Sequence, residues 1–160
     1  VKLRIVAVGR LKHGPERELA ERYLSRAADV GNGLGFRSFD VREIAESRAH
    51  DTDARKADEA RAIAAQLDPG ATVFCLDEHG QNLDSAALAA AIAKRRDGGT
   101  PEIVFVVGGA DGLSPELLRQ SHVKLAFGAV TWPHQLVRVM LLEQIYRAMT
   151  ILSGHPYHRA

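Results

Sequence analysis

Ile103-Val104-Phe105-Val106-Val107-Gly108-Gly109 is the stretch on which the fold class turns. Five consecutive apolar residues, all β-branched or aromatic, closed by two glycines, read as a short strand covered on both faces. Thr72-Val73-Phe74-Cys75-Leu76 repeats the pattern earlier in the chain. A strand with no polar face needs helices above and below it, the arrangement of a parallel sheet in an α/β layer fold. Outward from these two runs, strand and helix patterns alternate. Residues 3–9 are β-rich and apolar, and residues 16–28 carry the helical stripe Leu19, Ala20, Tyr23, Leu24 and Ala27. The glycines of Gly31-Asn32-Gly33-Leu34-Gly35 break the chain, and residues 36–44 alternate as a half-exposed strand. Asp51 or Asp53 caps a helix that runs to Leu67, and Asp77-Glu78-His79-Gly80 turns the chain out of its strand. Residues 85–96 form an alanine-rich helix, Ser114-Pro115-Glu116 opens a short one, and residues 123–127 return to strand. A long helix over residues 135–153 closes the pattern. The prediction is one domain over residues 1–160, a mostly parallel sheet with helices on both faces.

Composition narrows the function classes. With 46% hydrophobic and 26% charged residues in 160, the chain can bury a real core and does not read as disordered or fibrous. One cysteine, Cys75, excludes an intramolecular disulfide and points to a reducing compartment. No apolar run is long enough to span a bilayer, and the first residues lack the apolar block of a secretory signal, so a cytoplasmic protein is expected. The net charge of +1 conceals segregation. Residues 1–26 hold seven Lys/Arg against three acids, residues 27–100 nine against thirteen, and residues 101–160 five against four. A basic first third thus survives a neutral total, as a candidate nucleic-acid footing or as an ordinary solvated face.

In open parallel sheets ligands bind beyond the carboxyl ends of the strands. The loops after Leu76, Val107 and Phe127 are therefore candidate site loops. Gly108-Gly109-Ala110-Asp111-Gly112 permits close backbone approach to a nucleoside-like ligand, or is a tight strand-helix turn. It carries neither the dinucleotide fingerprint nor a P-loop lysine. Phe127-Gly128-Ala129-Val130-Thr131-Trp132-Pro133-His134 is too apolar for an ordinary surface loop and suits the wall of an adenine pocket, or a further strand and helix entry. The long helix is apolar nearly all round, which predicts a second subunit over its outer face, with Arg138 and Glu143 at the boundary. Glu143 and Arg147, four apart, also suit a simple ion pair. The tail His155-Pro156-Tyr157-His158-Arg159 offers groups that stack on bases, contact phosphate and move protons. His155 and His158 lack Cys or carboxylate neighbours, so no metal site is expected. Cys75, inside an apolar run, reads as a core residue.

Taken together, Gly108-Gly109-x-x-Gly112-Leu113-Ser114, Thr131-x-Pro133-His134-x-Leu136-x-Arg138, Glu143-Gln144-x-Tyr146-Arg147-Ala148 and the tail His155–Arg159 resemble the RlmH family. The opening Lys2-Leu3-x-x-Val6-Ala7-Val8-Gly9 and the length agree, so the resemblance covers essentially the whole chain. It implies a SPOUT-class methyltransferase fold with a C-terminal trefoil knot, acting as a homodimer. It further implies methyl transfer from S-adenosylmethionine to N3 of a pseudouridine in helix 69 of 23S ribosomal RNA, on the assembled 70S ribosome. By the family pattern the cofactor contacts fall on Leu76, Gly108, Phe127, Gly128, Ala129, Val130, Thr131 and Trp132. Position 1 is Val where the family begins with Met, and Trp132 stands where a smaller apolar or phenyl residue is expected. Tyr157, His158 and Arg159 are the candidate catalytic residues. Arg10, Lys12, Arg22 and His155 are candidate RNA contacts, in a basic third that also holds Arg4, Arg17 and Arg26. The alternatives are another SPOUT enzyme acting on transfer RNA and a non-catalytic nucleotide-binding α/β module.

Overall fold

The computed structural model describes residues 1–159. Five strands, β1 (Lys2–Val8), β2 (Ser38–Ile44), β3 (Thr72–Gln81), β4 (Glu102–Val107) and β5 (Val123–Leu125), form one sheet in the order β2-β1-β4-β3-β5. Every pairing is parallel. The strands alternate with α1 (Pro15–Gly31), α2 (Thr52–Ala64), α3 (Ser85–Asp97), α4 (Pro115–Gln120) and α5 (His134–Ser153). Asp51, Asp84 and Ser114 accept hydrogen bonds from the amides of Ala54, Ala87 and Leu117, which starts α2, α3 and α4.

The alternation of side chains along the strands builds two cores. Leu3, Ile5, Phe74, Ile103 and Phe105 point to the face covered by α1, α3 and α5, where they meet Ala20, Ala27, Ile92, Leu142, Ile145 and Met149. Phe74 and Phe105 are direct cross-strand partners with ring centroids 4.9 Å apart. Val6, Val8, Val73, Cys75, Val104 and Val106 point the other way, to Ile63 of α2 and Leu117 of α4. β4 is buried along its whole length at the sheet centre, as its run of apolar residues requires.

Two local expectations are corrected. Asp77-Glu78-His79-Gly80 is not a turn: β3 continues through it to Gln81, with a register shift between Leu76 and Gln81 as it follows β5. Gly80 allows this, because a Cβ there would lie 2.6–2.8 Å from the backbone of Lys124 and Leu125. As expected of the run from Gly31 to Gly35, α1 ends at Gly31, which is packed so closely that a Cβ there would run into the Phe39 ring. The direction changes at Gly35, whose φ of +89° suits glycine.

The second concerns Arg138 in α5. α1 and α3 cover one side of α5 and bury Leu141, Leu142, Ile145, Ala148 and Met149, while Met140, Ile151 and Leu152 stay half-buried. The apolar residues left exposed are Val130, Trp132 and Leu136, before and at the start of α5. Arg138 does not lie at an outer boundary. It is 2% exposed, pairs with Glu43 at 2.5 Å and donates to the Gly9 carbonyl at 2.9 Å. No helix among the described residues is long and apolar enough to cross a membrane.

Candidate active site

The second half of β3 and the loops beyond β4 and β5 surround an open cavity of about 250 Å³. Leu76, Val107, Leu113, Leu125 and Val137 give it an apolar floor, and Gly108 to Gly112 form one wall. Phe127, Gly128, Val130, Thr131 and Trp132 form the opposite wall. Of the residues expected around a cofactor, all but Ala129 line this one cavity. Parallel strands make this arrangement, because they deliver their following loops to the same edge.

Each wall is fixed by hydrogen bonds. The Trp132 indole donates to the Phe127 carbonyl at 2.8 Å and closes the apolar loop into a ring. Asn82 accepts from the Gly128 amide at 2.8 Å, and the Ala126 amide donates to Gln81 at 2.9 Å. The extended end of β3 therefore carries the apolar loop. Across the cavity, the Gly112 amide donates to Gly109 at 3.0 Å, and Gly112 adopts φ +78°. Asp77, Glu78 and Asp111 also line the cavity, and no Lys or Arg does. Asp111 is paired with Arg55, so Asp77 and Glu78 are the carboxylates whose field favours a ligand with positive charge. Asp77 and Glu78, which as a sequence read as a turn, reach the cavity because β3 continues past Leu76.

The tail does not line the cavity. Tyr157 folds back along α5, stacking on Tyr146 with centroids 4.6 Å apart and lying under the Arg147 guanidinium at 4.7 Å. Its hydroxyl donates to Glu143 Oε1 at 3.0 Å. Burial first, then Glu143, pushes the Tyr157 phenol well above its ordinary range, so it stays protonated at physiological pH. Glu143 and Arg147 form the ion pair that their spacing suggests, and Arg147 reaches the His158 ring at 3.3 Å. His155 and Arg159 are exposed. Glu143 lies six positions beyond Val137, roughly 9 Å along the helix from the cavity floor.

The basic third divides. Arg10 and Lys12 are exposed on the loop after β1, at the same edge of the sheet as the cavity, and Arg22 and Arg26 are exposed on α1. Arg17 pairs with Glu21. Arg4 is withdrawn from any RNA surface: only 13% of its side chain is exposed, and it is held by Asp40, Glu102 and the Gln66 carbonyl. Cys75 is fully buried, and burial pushes its thiol up to about 11, as a core residue requires.

The model of the family described as "Predicted SPOUT methyltransferase" matches residues 1–158. Among curated proteins, the ribosomal RNA large subunit methyltransferase H of Bradyrhizobium sp. (strain BTAi1) is 61% identical over 160 residues, all of both chains. That of Rhodopseudomonas palustris (strain BisB5) is 60% identical over the same full lengths. A probable methyltransferase from Bordetella pertussis Tohama I has the same fold, with a TM-score of 0.51 at 16% identity, covering 92% of this chain and 95% of the other. With a family model over nearly every residue and relatives this similar from end to end, the chain belongs to the SPOUT methyltransferases and, within them, to the family of ribosomal RNA large subunit methyltransferase H.

Proposed function

We propose that this protein methylates N3 of a pseudouridine in helix 69 of 23S ribosomal RNA on the assembled ribosome, as a homodimer in the cytoplasm. The observation that carries the reading is the convergence of Leu76, Gly108, Phe127, Gly128, Val130, Thr131 and Trp132 on one cavity, although they come from β3 and the separate loops after β4 and β5. S-adenosylmethionine, the cofactor of SPOUT methyltransferases, supplies a methyl group on a positively charged sulfonium. The residues present fit it. Gly108, without a side chain, leaves backbone along the cavity wall, Trp132 and Val130 offer apolar surface for a purine, and Asp77 and Glu78 attract the cationic centre.

N3–H of the base is weakly acidic, and its proton departs as the N3–methyl bond forms and the sulfur–methyl bond breaks. The chain's contribution is chiefly to hold donor and acceptor in line at roughly 3–3.5 Å. Tyr157 stays protonated and serves as a hydrogen-bond donor rather than a base. His158 beside Arg147 is the candidate to receive or orient the proton, and Arg159 is free to meet phosphate. Because this tail lies along its own α5 outside its own cavity, we assign it to the cavity of a partner subunit. The exposed Val130, Trp132 and Leu136 beside the cavity suit that contact. Arg10, Lys12, Arg22 and His155 are assigned to RNA backbone, and the single domain of residues 1–160 and its knot remain parts of the same proposal.

The test is transfer of labelled methyl from S-adenosylmethionine to 70S ribosomes, free 23S RNA and transfer RNA. Label on the ribosome alone, at N3 of one pseudouridine, is expected. Label on transfer RNA, or cofactor binding with no transfer to any RNA, overturns it. Removal of residues 155–160 abolishes transfer while cofactor binding persists; retained turnover removes the tail from the site.

A further inference from the structure

Asp111 lies at the tip of the loop that follows β4, and Arg55 lies in the first turn of α2, 56 positions away. The loop is bent tightly on itself by the Gly112 to Gly109 hydrogen bond, which leaves Ala110 and Asp111 at the turn. Ala110 is exposed. Asp111 is held: its carboxylate accepts from Arg55 Nε at 2.7 Å and from Nη2 at 3.3 Å. The other donors of Arg55 go to the carbonyls of Ala49 and His50, both at 3.1 Å, and to Thr52 Oγ1 at 3.0 Å. A guanidinium has five N–H donors, and these five contacts use all of them. Nothing is left over for RNA or ligand, and a lysine ammonium could not reproduce the planar fork.

The same helix holds the segment before it at two more points. Glu59, buried, accepts from the Ser47 amide at 2.9 Å, and Asp58 accepts from the Ser47 hydroxyl at 2.8 Å. A Cβ on Gly109 would lie 3.7 Å from Glu59 Oε1, so the base of the glycine loop rests against this network. α2 therefore braces two loops at the carboxyl edge of the sheet, residues 45–50 and residues 108–112.

We infer that Arg55 is a positioning residue for the cofactor pocket, acting through Asp111 to hold the Gly108–Gly112 wall in its binding shape. This rests on the reading of the cavity given above. Three glycines admit close backbone approach to a ligand, and they also give the loop many alternative conformations. An anchor from outside the loop removes those alternatives before the ligand arrives, which raises affinity without touching the ligand. Arg55 holds the Asp111 carboxyl below the usual carboxylate range, so the pair stays charged through mildly acidic pH.

The experiment compares wild type, Asp111→Ala, Arg55→Ala, Arg55→Lys and the double alanine variant. S-adenosylmethionine binding is read by titration calorimetry, methyl transfer by KM and kcat, and folding by thermal unfolding. Asp111→Ala leaves the Ala49, His50 and Thr52 bonds in place and so isolates the anchor. It is expected to raise Kd and the cofactor KM on the order of ten-fold, with kcat at saturation and the ribosome KM nearly unchanged. Arg55→Lys falls between wild type and Arg55→Ala in affinity. The double variant binds no worse than Arg55→Ala, because both changes remove one interaction. Unchanged affinity in Asp111→Ala overturns the inference, and so do losses that multiply in the double variant. Weak binding in Asp111→Ala with full affinity in Arg55→Ala also overturns it, placing Asp111 itself on the ligand. A wild type that does not bind S-adenosylmethionine overturns the reading of the cavity instead.

Discussion

Replacing Arg138 with Met measures how firmly α5 is tied to the far strands. The side chain is 2% exposed, its Nη1 lies 2.5 Å from Glu43 and its Nη2 donates to Gly9 at 2.9 Å, while its Nε is buried with no partner. Methionine fills nearly the same volume without the guanidinium. The Gly9 carbonyl then loses its partner, which costs about 1–3 kcal/mol. Glu43 is a third exposed, so water replaces the ion pair at a cost of about 0–1 kcal/mol. Removing the unpartnered Nε returns about 1 kcal/mol. The net loss is about 1.5 kcal/mol, which in a chain of this size lowers Tm by about 3–6 °C.

The loss should also depend on pH. Burial pushes the Glu43 carboxyl up, but the Leu11 amide and the Arg138 guanidinium together bring it below its ordinary 4.5. A carboxylate with a lowered native pKa stabilises the fold above the unfolded value, and that stability disappears as pH falls through the folded value. Wild type has more of it to lose than Arg138→Met. Thermal unfolding followed by circular dichroism should therefore show the Tm gap at pH 7 and a narrowing gap from about pH 5 to about pH 3. No gap at pH 7, or a gap undiminished at pH 3, refutes the reasoning.

Two further outcomes follow from packing. Gly80→Ala puts a methyl group against backbone that cannot step aside, and it should cost about 2–3 kcal/mol by denaturant unfolding. Gly33→Ala, where a Cβ meets nothing within 4 Å, is the near-neutral control; equal effects would discount the β3–β5 approach. The Cys75 thiol, raised from 9.0 to about 11 chiefly by burial, should resist alkylation at pH 8 until the protein unfolds. Because the unfolded chain gives up this proton first, stability should fall as pH rises from 9.0 towards 11; rapid labelling of the folded protein would contradict its burial.

Local pattern carried the sheet, the helices and the edge at which the site loops gather, because burial of β4 on both faces leaves its mark in consecutive apolar residues. It could not carry contacts made between distant segments. The polar run Asp77–Gly80 reads as a turn until Leu125 is placed beside it, and only then does Gly80 acquire its reason. A sequence does not show that α1 and α3 both lean on α5 and bury one side of its apolar perimeter. Arg4 counts as a surface cation until Asp40, Glu102 and Gln66 surround it. The cavity-lining residues were legible from strand ends and family motif together, whereas the hold of Arg55 on Asp111 leaves no local trace.

The packing of α5 on α1 also governs how the chain is made. Tyr23 of the first helix meets Tyr146 of the last, with ring centroids 6.0 Å apart. During synthesis, β1 and α1 emerge early with their apolar faces bare and must wait for nearly the entire chain before α5 arrives. The central strand β4, on which β1 pairs, is also made late. The domain therefore cannot mature piece by piece as it leaves the ribosome, and its nascent N-terminal half is an obvious client for chaperones.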